Sequence, residues 1–334
     1  MEDKRVYNKV FTEKKWEKVL MANKVLLDDF TFELRQRRYS PKTVVQYYND
    51  LRIFLIYILE HLDNKSVLKL TRRDMRAYSF WMTDERGLSA ARHNRMIAVM
   101  KSFYDYLEDD DELDFSNDIA RKMKGLPKDP VTRIIFLTDE QIFLLRDALI
   151  ERKMYQHATL LMLAYDSAAR KGELGQVLKH SFYDDTIHNT NRVIGKGRKV
   201  FPLVYFSGTK ECAKLWLEHR GEDEFSNLWV SEDPNKHMAL GQRHLYTMVL
   251  QMRDVFKEAS GLNIKFNLHS LRHSALQNMS DGTHYICRER GLGRLDISVL
   301  KEIANHESVS TTEGYLKDDK SSMYEDMFGI SLVD

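Results

Sequence analysis

The chain has 334 residues, 43% of them hydrophobic and 30% charged, with only 5 Pro and 15 Gly. This is a globular composition rich in helix formers and long enough for two domains. Two cysteines, Cys212 and Cys287, exclude a disulfide framework and fit a reducing compartment, and the apolar runs are too short or interrupted to span a membrane.

The opening "MEDKRVYNKV" has no apolar core or cleavage site of a secretory signal. Lys and Arg number 51 against 50 Asp and Glu, a net of +1. The excess of base lies in the N-terminal half, the body is near neutral and the tail is acidic. That pattern permits DNA binding without demanding it.

Residues 1–22 read as an N-terminal extension, expected to be too short for a separate DNA-binding domain. A helix is predicted over 23–36, with Val25, Leu26, Phe30, Phe32 and Leu34 on one face. Ser40 before Pro41 is an N-cap with proline at the first helical position, opening a second helix to about Leu62. Thr71 caps a third. A fourth, "LSAARHNRMIAVMKSFYDYLEDD", carries Met96, Val99, Met100, Phe103 and Leu107 at helical spacing. Together they form a small bundle over 23–124. "KMKGLPKDPVTRIIFLTDEQ" holds a glycine and two prolines and reads as a linker, 125–137, ending where Thr138 caps the next helix.

The second domain, 138–316, opens with helices at about 138–152 and 155–168, then a turn and helix in "ARKGELGQVLKHSF". "FYDDTIHNTNRVIGKGRKVFPLVYF" alternates β-branched and aromatic residues around Asn and Gly, as a short antiparallel sheet does. Helices follow at about 209–219, 240–260, 268–279 and 296–305, and a tail spans 317–334. The expected fold is mainly α with a small antiparallel β-sheet: a helical N-terminal domain and an α+β second domain.

Several polar groups of the second half have no apolar reason for their positions. Arg170 follows "LLMLAYDSAA". Lys196 sits in "GKGRK" at a hairpin tip. His269, Arg272 and His273 stand at i, i+3 and i+4 on one helix face, a cradle for an anion in which a guanidinium fork meets imidazole donors. Two His at i, i+4 also suit zinc, but Ser270 stands where a metalloprotease needs Glu, and a cationic Arg between the ligands repels a metal. His306 and Tyr315 lie on the polar stretch "NHESVSTTEGYLK". Taken singly, each has an ordinary reading: Arg170 as an ion pair with Glu173, Lys196 as a solvated turn residue, each His as a satisfied core residue, Tyr315 as one of 16 tyrosines.

Taken together, the set resembles the tyrosine recombinase (phage integrase) family. "ARKGEL" is similar to its first-arginine motif, "GKGRKVFPL" to its hairpin-lysine motif, "HSLRHS" to its His-x-Leu-Arg-His box, and "NHESVSTTEGY" to its late His-to-Tyr step. "SPKTVVQYYNDLRIFLIYI" and "ARHNRMIAVMKSFYDYL" resemble its core-binding helices, so the likeness runs over about 23–317. The chain departs from the pattern at Asn305, where the family has Gly, and at bulky Lys171. The stretch between Arg272 and His306 is also longer, the surplus lying around Cys287–Asp296 as a loop with its own contact to DNA or a partner.

The resemblance implies a SAM-like core-binding domain, a catalytic domain, and transesterification without metal, ATP or other cofactor. By it, Tyr315 is the nucleophile and His269 takes its proton. Arg170, Arg272 and His306 hold the phosphate, and Lys196, or Lys199 in its place, protonates the leaving oxygen. Glu173 and His273 support them. It implies double-stranded DNA as partner, a homo-tetramer on two sites with the tail exchanged between protomers, room for an accessory directionality factor, no membrane, and a cytoplasmic, nucleoid-associated setting. The first domain then clamps the duplex opposite the second through Arg37, Arg38, Lys42, Arg92, Arg95 and Lys101, half of them touching DNA and the others solvated; Arg243 and His244 add contacts from the second. Integration or excision of a mobile element is the favoured role. Dimer resolution or inversion, a type IB topoisomerase or telomere resolvase, and a DNA-binding protein that does not cut are the alternatives.

Overall fold

The computed structural model describes residues 10–113, 115–116, 119–127, 134–233, 235–236 and 238–305. The chain divides into two compact units, Met1–Thr132 and Arg133–Asp334. The fold is mostly helical, with one two-stranded antiparallel sheet.

The first unit is built on α1 (Glu13–Lys18), α2 (Met21–Gln36), α3 (Pro41–His61), α4 (Arg72–Phe80), which runs on into a π-turn at Trp81–Glu85, and α5 (Ala90–Asp109). Its caps are those expected. The Ser40 hydroxyl accepts from Thr43 N–H ahead of Pro41, and Thr71 and Asp74 form a reciprocal capping box. On α2 the buried stripe is Asn23, Leu27, Phe30, Thr31 and Leu34. Val25 and Phe32, expected on that face, are 44% and 58% exposed. The reason is angular: 23, 27, 30, 31 and 34 follow the 3.6-residue period, and 25 and 32 fall on the opposite side. Phe30 packs edge-on against Phe103 of α5, with ring centroids 5.4 Å apart. The stretch expected as an extension supplies α1 and two core side chains, Val10 and Val19.

In the second unit, α6 (Asp139–Glu151), α9 (Ser207–Arg220) and α11 (Leu268–Asp281) pack around α7 (Tyr155–Ser167). Residues 156–167 of α7 are all buried, polar Gln156, His157, Thr159, Asp166 and Ser167 included, so this helix is enclosed on every side and forms the axis of the unit. It ends at Ala168, whose left-handed backbone (φ 47°, ψ 28°) turns the chain into α8 (Lys171–Leu174). The helix expected across "ARKGELGQVLKHSF" is this single turn plus a 3₁₀ turn at Lys179–Phe182. β1 (Asn189–Ile194) and β2 (Val200–Val204) follow, with Ile194 facing Val200. Then come α10 (Gln242–Ser260), α12 (Tyr285–Arg290) and α13 (Ile297–Ile303).

Helix α12 lies in the surplus stretch expected to be a loop. Tyr285, Ile286 and Cys287 are buried, and Arg288 reaches Asp139 of α6 at 2.6 Å. Gly282 closes the turn before it: a Cβ there would stand 2.8 Å from the backbone of Gly293, so the surplus residues fold back onto the end of α11.

Candidate active site

The first turn of α8 places Arg170. Its backbone N–H donates to one Glu173 carboxylate oxygen at 2.7 Å, and its guanidinium donates to the other at 3.1 Å. The Glu173 side chain is 4% exposed and that of Arg170 28%, so a buried carboxylate holds a guanidinium that still reaches the surface. Glu173 thus fixes where the guanidinium points.

Arg272, on the second turn of α11, is 1% exposed. One terminal nitrogen donates to the carbonyl of Ala168, and the other donates to Ala304 at 2.8 Å. Ala168 lies two residues before Arg170, and Ala304 two before His306. One guanidinium therefore ties together the chain segments that lead to two other predicted site residues. Such a planar fork cannot rotate away from both carbonyls at once.

His269 occupies the first turn of α11, one turn before Arg272 and His273, with the His269 and His273 rings edge to face at 4.6 Å. His269 stays accessible at the surface, yet its imidazole is held down to about 4. Partial desolvation is the main cause, followed by His273, Arg272 and Arg170. The ring is neutral near pH 7 and able to accept a proton. His273 is buried against Phe136.

Lys196 is exposed at the tip of the β1–β2 hairpin, which Gly195 N–H closes by donating to the Lys199 carbonyl at 2.8 Å. The hairpin is seated on the Arg170 turn. A Cβ on Gly195 would stand 2.6 Å from the Phe201 ring and 3.2 Å from a Glu173 carboxylate oxygen. Arg170, Glu173, His269, Arg272 and His273 are thus brought together, and Lys196 stands on a hairpin that abuts Glu173. His306, Tyr315 and the tail 317–334 lie outside the described residues. Asn305, just before His306, is described and adopts φ 51°. That conformation explains the departure from Gly: Asn is among the residues that best tolerate it after glycine.

The predicted DNA-contact residues divide. Arg92 is turned inward, pairing through two nitrogens with Asp50, and Arg95 reaches the same carboxylate at 3.6 Å. Arg37 (4.0 Å from Glu33), Arg38 and Lys42 are exposed, and Lys101 is half-buried. Arg243 and His244 are exposed in the first turn of α10, which carries no acidic residue. A guanidinium and an imidazole beside the positive end of a helix make a locus for an anion.

Sequence reasoning missed Gln176, Asn191 and Asp50, whose side chains hold these elements in register. Among the described residues, no group of three or more His, Cys, Asp or Glu is arranged to hold a metal ion, and no helix is long and apolar enough to cross a membrane.

The second, α+β unit gathers two guanidiniums and an imidazole at one place, an arrangement that fits a tetrahedral anion. Residues 27–110 match the model of the phage integrase N-terminal SAM-like domain, and residues 135–322 that of the phage integrase family. The second match covers more than half of the chain, which belongs to this family, the tyrosine recombinases, and is a DNA strand-exchange enzyme.

Among its relatives is the SPbeta prophage-derived recombinase-like protein YomM of Bacillus subtilis, 27% identical, with 90% of this chain and 89% of that protein covered. Tyrosine recombinase XerC of Pediococcus pentosaceus is 24% identical, with 87% and 92% covered. The fold is also that of XerH recombinase bound to palindromic difH (TM-score 0.64, 18% identity, 89% and 83% covered) and of a lambda integrase dimer bound to a COC′ core site (TM-score 0.62, 15% identity, 89% and 77% covered).

Proposed function

We propose that this chain cuts and rejoins DNA at specific sites through a 3′-phosphotyrosyl intermediate on Tyr315. The observation that carries this reading is the joining of Arg170 and Arg272 beside a neutral His269, with Arg272 bonded to both the Ala168 and Ala304 carbonyls. The Tyr315 oxygen attacks the scissile phosphorus. Its proton passes to His269, whose ring is unprotonated at neutral pH and so has a lone pair free to accept it. Charge on the non-bridging oxygens is met by Arg170, Arg272 and His306. The bond to the 5′ oxygen breaks, and Lys196 gives that oxygen its proton. The phosphotyrosine conserves the bond for rejoining, so the step needs no nucleotide.

Double-stranded DNA is the substrate, gripped through exposed cations such as Arg37, Lys42 and Arg243, so binding weakens steeply with salt. Pairing two cleaved duplexes requires four protomers on two sites, and an accessory factor sets direction. A mobile-element role is supported by likeness to a recombinase-like protein of prophage origin.

The test is a nicked duplex carrying the site that wild-type protein selects from random-sequence DNA. Denaturing electrophoresis should show a covalent protein–DNA band for wild type and none for Tyr315→Phe. A wild-type protein that binds the site but forms no such band overturns the proposal.

A further inference from the structure

A two-stranded sheet leaves the outer edge of each strand with unpaired N–H and C=O groups, and those of β1 must be met by something other than a strand. Gln176, which follows the Arg170 turn, meets them at Ile194. Its side-chain oxygen accepts from Ile194 N–H at 2.9 Å, and its side-chain nitrogen donates to the Ile194 carbonyl at 3.0 Å. The same nitrogen donates to the Gly172 carbonyl at 2.7 Å, inside the turn that carries Arg170 and Glu173.

Asn191 repeats the device three residues earlier. Its side-chain oxygen accepts from Leu178 N–H at 2.8 Å, and its nitrogen donates to the Gln176 carbonyl at 3.1 Å. Gln176 thus stands in for a missing third strand at Ile194, and Asn191, reaching outward from β1 itself, bonds the segment that carries Gln176. They join β1 to residues 172–178, and Ile194 is two residues before Lys196. Gly195 completes the fit by lying against Glu173 without room for a Cβ.

We infer that Gln176 is a positioning residue that sets the placement of the hairpin lysine relative to Arg170, locking the proton donor and the phosphate clamp into one frame. The inference rests on the proposed role of Lys196 as proton donor to the leaving oxygen. A hairpin of two short strands is marginal on its own. Freed from the Gln176 clasp it keeps its fold but loses its aim, and a misplacement of about 1 Å is enough to cost up to roughly a hundredfold in rate. The effect falls on leaving-group protonation and spares phosphate binding, because Arg170 keeps its own bonds to Glu173.

The variant is Gln176→Met, which keeps the length of the side chain and removes its hydrogen bonds. Without DNA, amide exchange at Ile194 should speed up while the melting temperature stays within a few degrees of wild type. Unchanged exchange overturns the clasp itself. On the nicked duplex, formation of the covalent complex should slow by about tenfold to a hundredfold. It should return to near the wild-type rate on the same duplex with sulfur in place of the 5′ bridging oxygen, since a thiolate leaves without a proton. Lys196→Ala should show the same rescue.

Equal slowing on both substrates, or none on either, overturns the assignment of Gln176. Absence of sulfur rescue in Lys196→Ala, with wild type active, instead overturns the role of Lys196. Gln176→Glu gives a further arm. It keeps the acceptor for Ile194 N–H but sets a carboxylate oxygen against the Gly172 and Ile194 carbonyls, so it should slow the reaction at least as much as Gln176→Met, with the same sulfur rescue; a wild-type rate in Gln176→Glu overturns the clasp.

Discussion

His269 shows how position rather than residue type sets chemistry. An ordinary imidazole is half charged near pH 6.5; this one is held down to about 4 by desolvation and three cationic or proton-binding neighbours. Its folded value lies below its unfolded one, so it favours the folded state fully above pH 6.5 and loses that contribution as pH falls towards 4. For the proposed reaction the consequence is a proton acceptor available across the neutral range. We expect an NMR titration of the free protein to place the His269 midpoint close to 4, and to move it upward in His273→Ala or Arg170→Ala. A wild-type midpoint at 6.5 contradicts the electrostatic picture. Arg170, His269 and Arg272, which the structure brings together, are legible in the sequence because their chemistry admits few substitutes: a guanidinium fork, an imidazole. Gln176 and Asn191 are not, because they bond to backbone atoms of another segment, and no residue type marks a backbone partner.

Elements were legible where an end carries its own signal. Ser40–Pro41, Thr71 and Thr138 cap helices where expected, and each is a local device readable within four residues. Helix α12 was missed because it has six residues between glycine turns, too few for a period to declare itself. The outward face of α2 was misread because Val25 and Phe32 there are as apolar as the Leu27, Phe30 and Leu34 that the core takes in.

The joint between α3 and α5 was also invisible, since it is an ion pair across 42 positions. Asp50, 2% exposed, takes Arg92 through two nitrogens and Arg95 through a third, with Gln46 donating at 3.0 Å. Losing one partner of a buried pair strands the other, so Asp50→Ala should cost the first unit roughly 3 kcal/mol in urea unfolding at pH 7. Burial pushes the Asp50 carboxyl up to about 6, against the pull of Arg95 and Gln46. Its folded value exceeds its unfolded one, so the part of the stability linked to its protonation is full below 3.8 and is lost as pH rises through 6, whereas the cost of Asp50→Ala at pH 7 is that of leaving Arg92 and Arg95 without their carboxylate. Asp50→Asn should therefore flatten the pH dependence of stability between about 4 and 6. A variant as stable as wild type, with an unaltered pH profile, would show that Arg92 stands free of Asp50 and can serve DNA instead.

Across the whole molecule, the proposed assembly of protomers would need a surface that receives a neighbouring copy. The second unit carries an apolar groove of about 580 Å³, lined by Phe206, Met279, Ile286, Leu292, Leu295 and Val299 among others, with Leu292 55% and Val299 44% exposed. The tail 317–334 lies outside the described residues, but its sequence sets Met323, Tyr324, Met327, Phe328, Ile330 and Leu332 among acids, an amphipathic pattern suited to such a groove. If the tail fills the groove of a neighbouring protomer, deleting 317–334 should leave binding of one protomer to a half-site unchanged and abolish cooperative filling of the second, read as discrete bands in a gel-shift titration. Leu292→Asp, which alters the receiving surface and leaves the tail intact, should give the same loss. If the tail instead closes its own domain, the deletion lowers the melting temperature and leaves cooperativity intact. Because both variants keep the Arg170, His269 and Arg272 cluster, a change confined to cooperativity would separate assembly from the chemistry of the site.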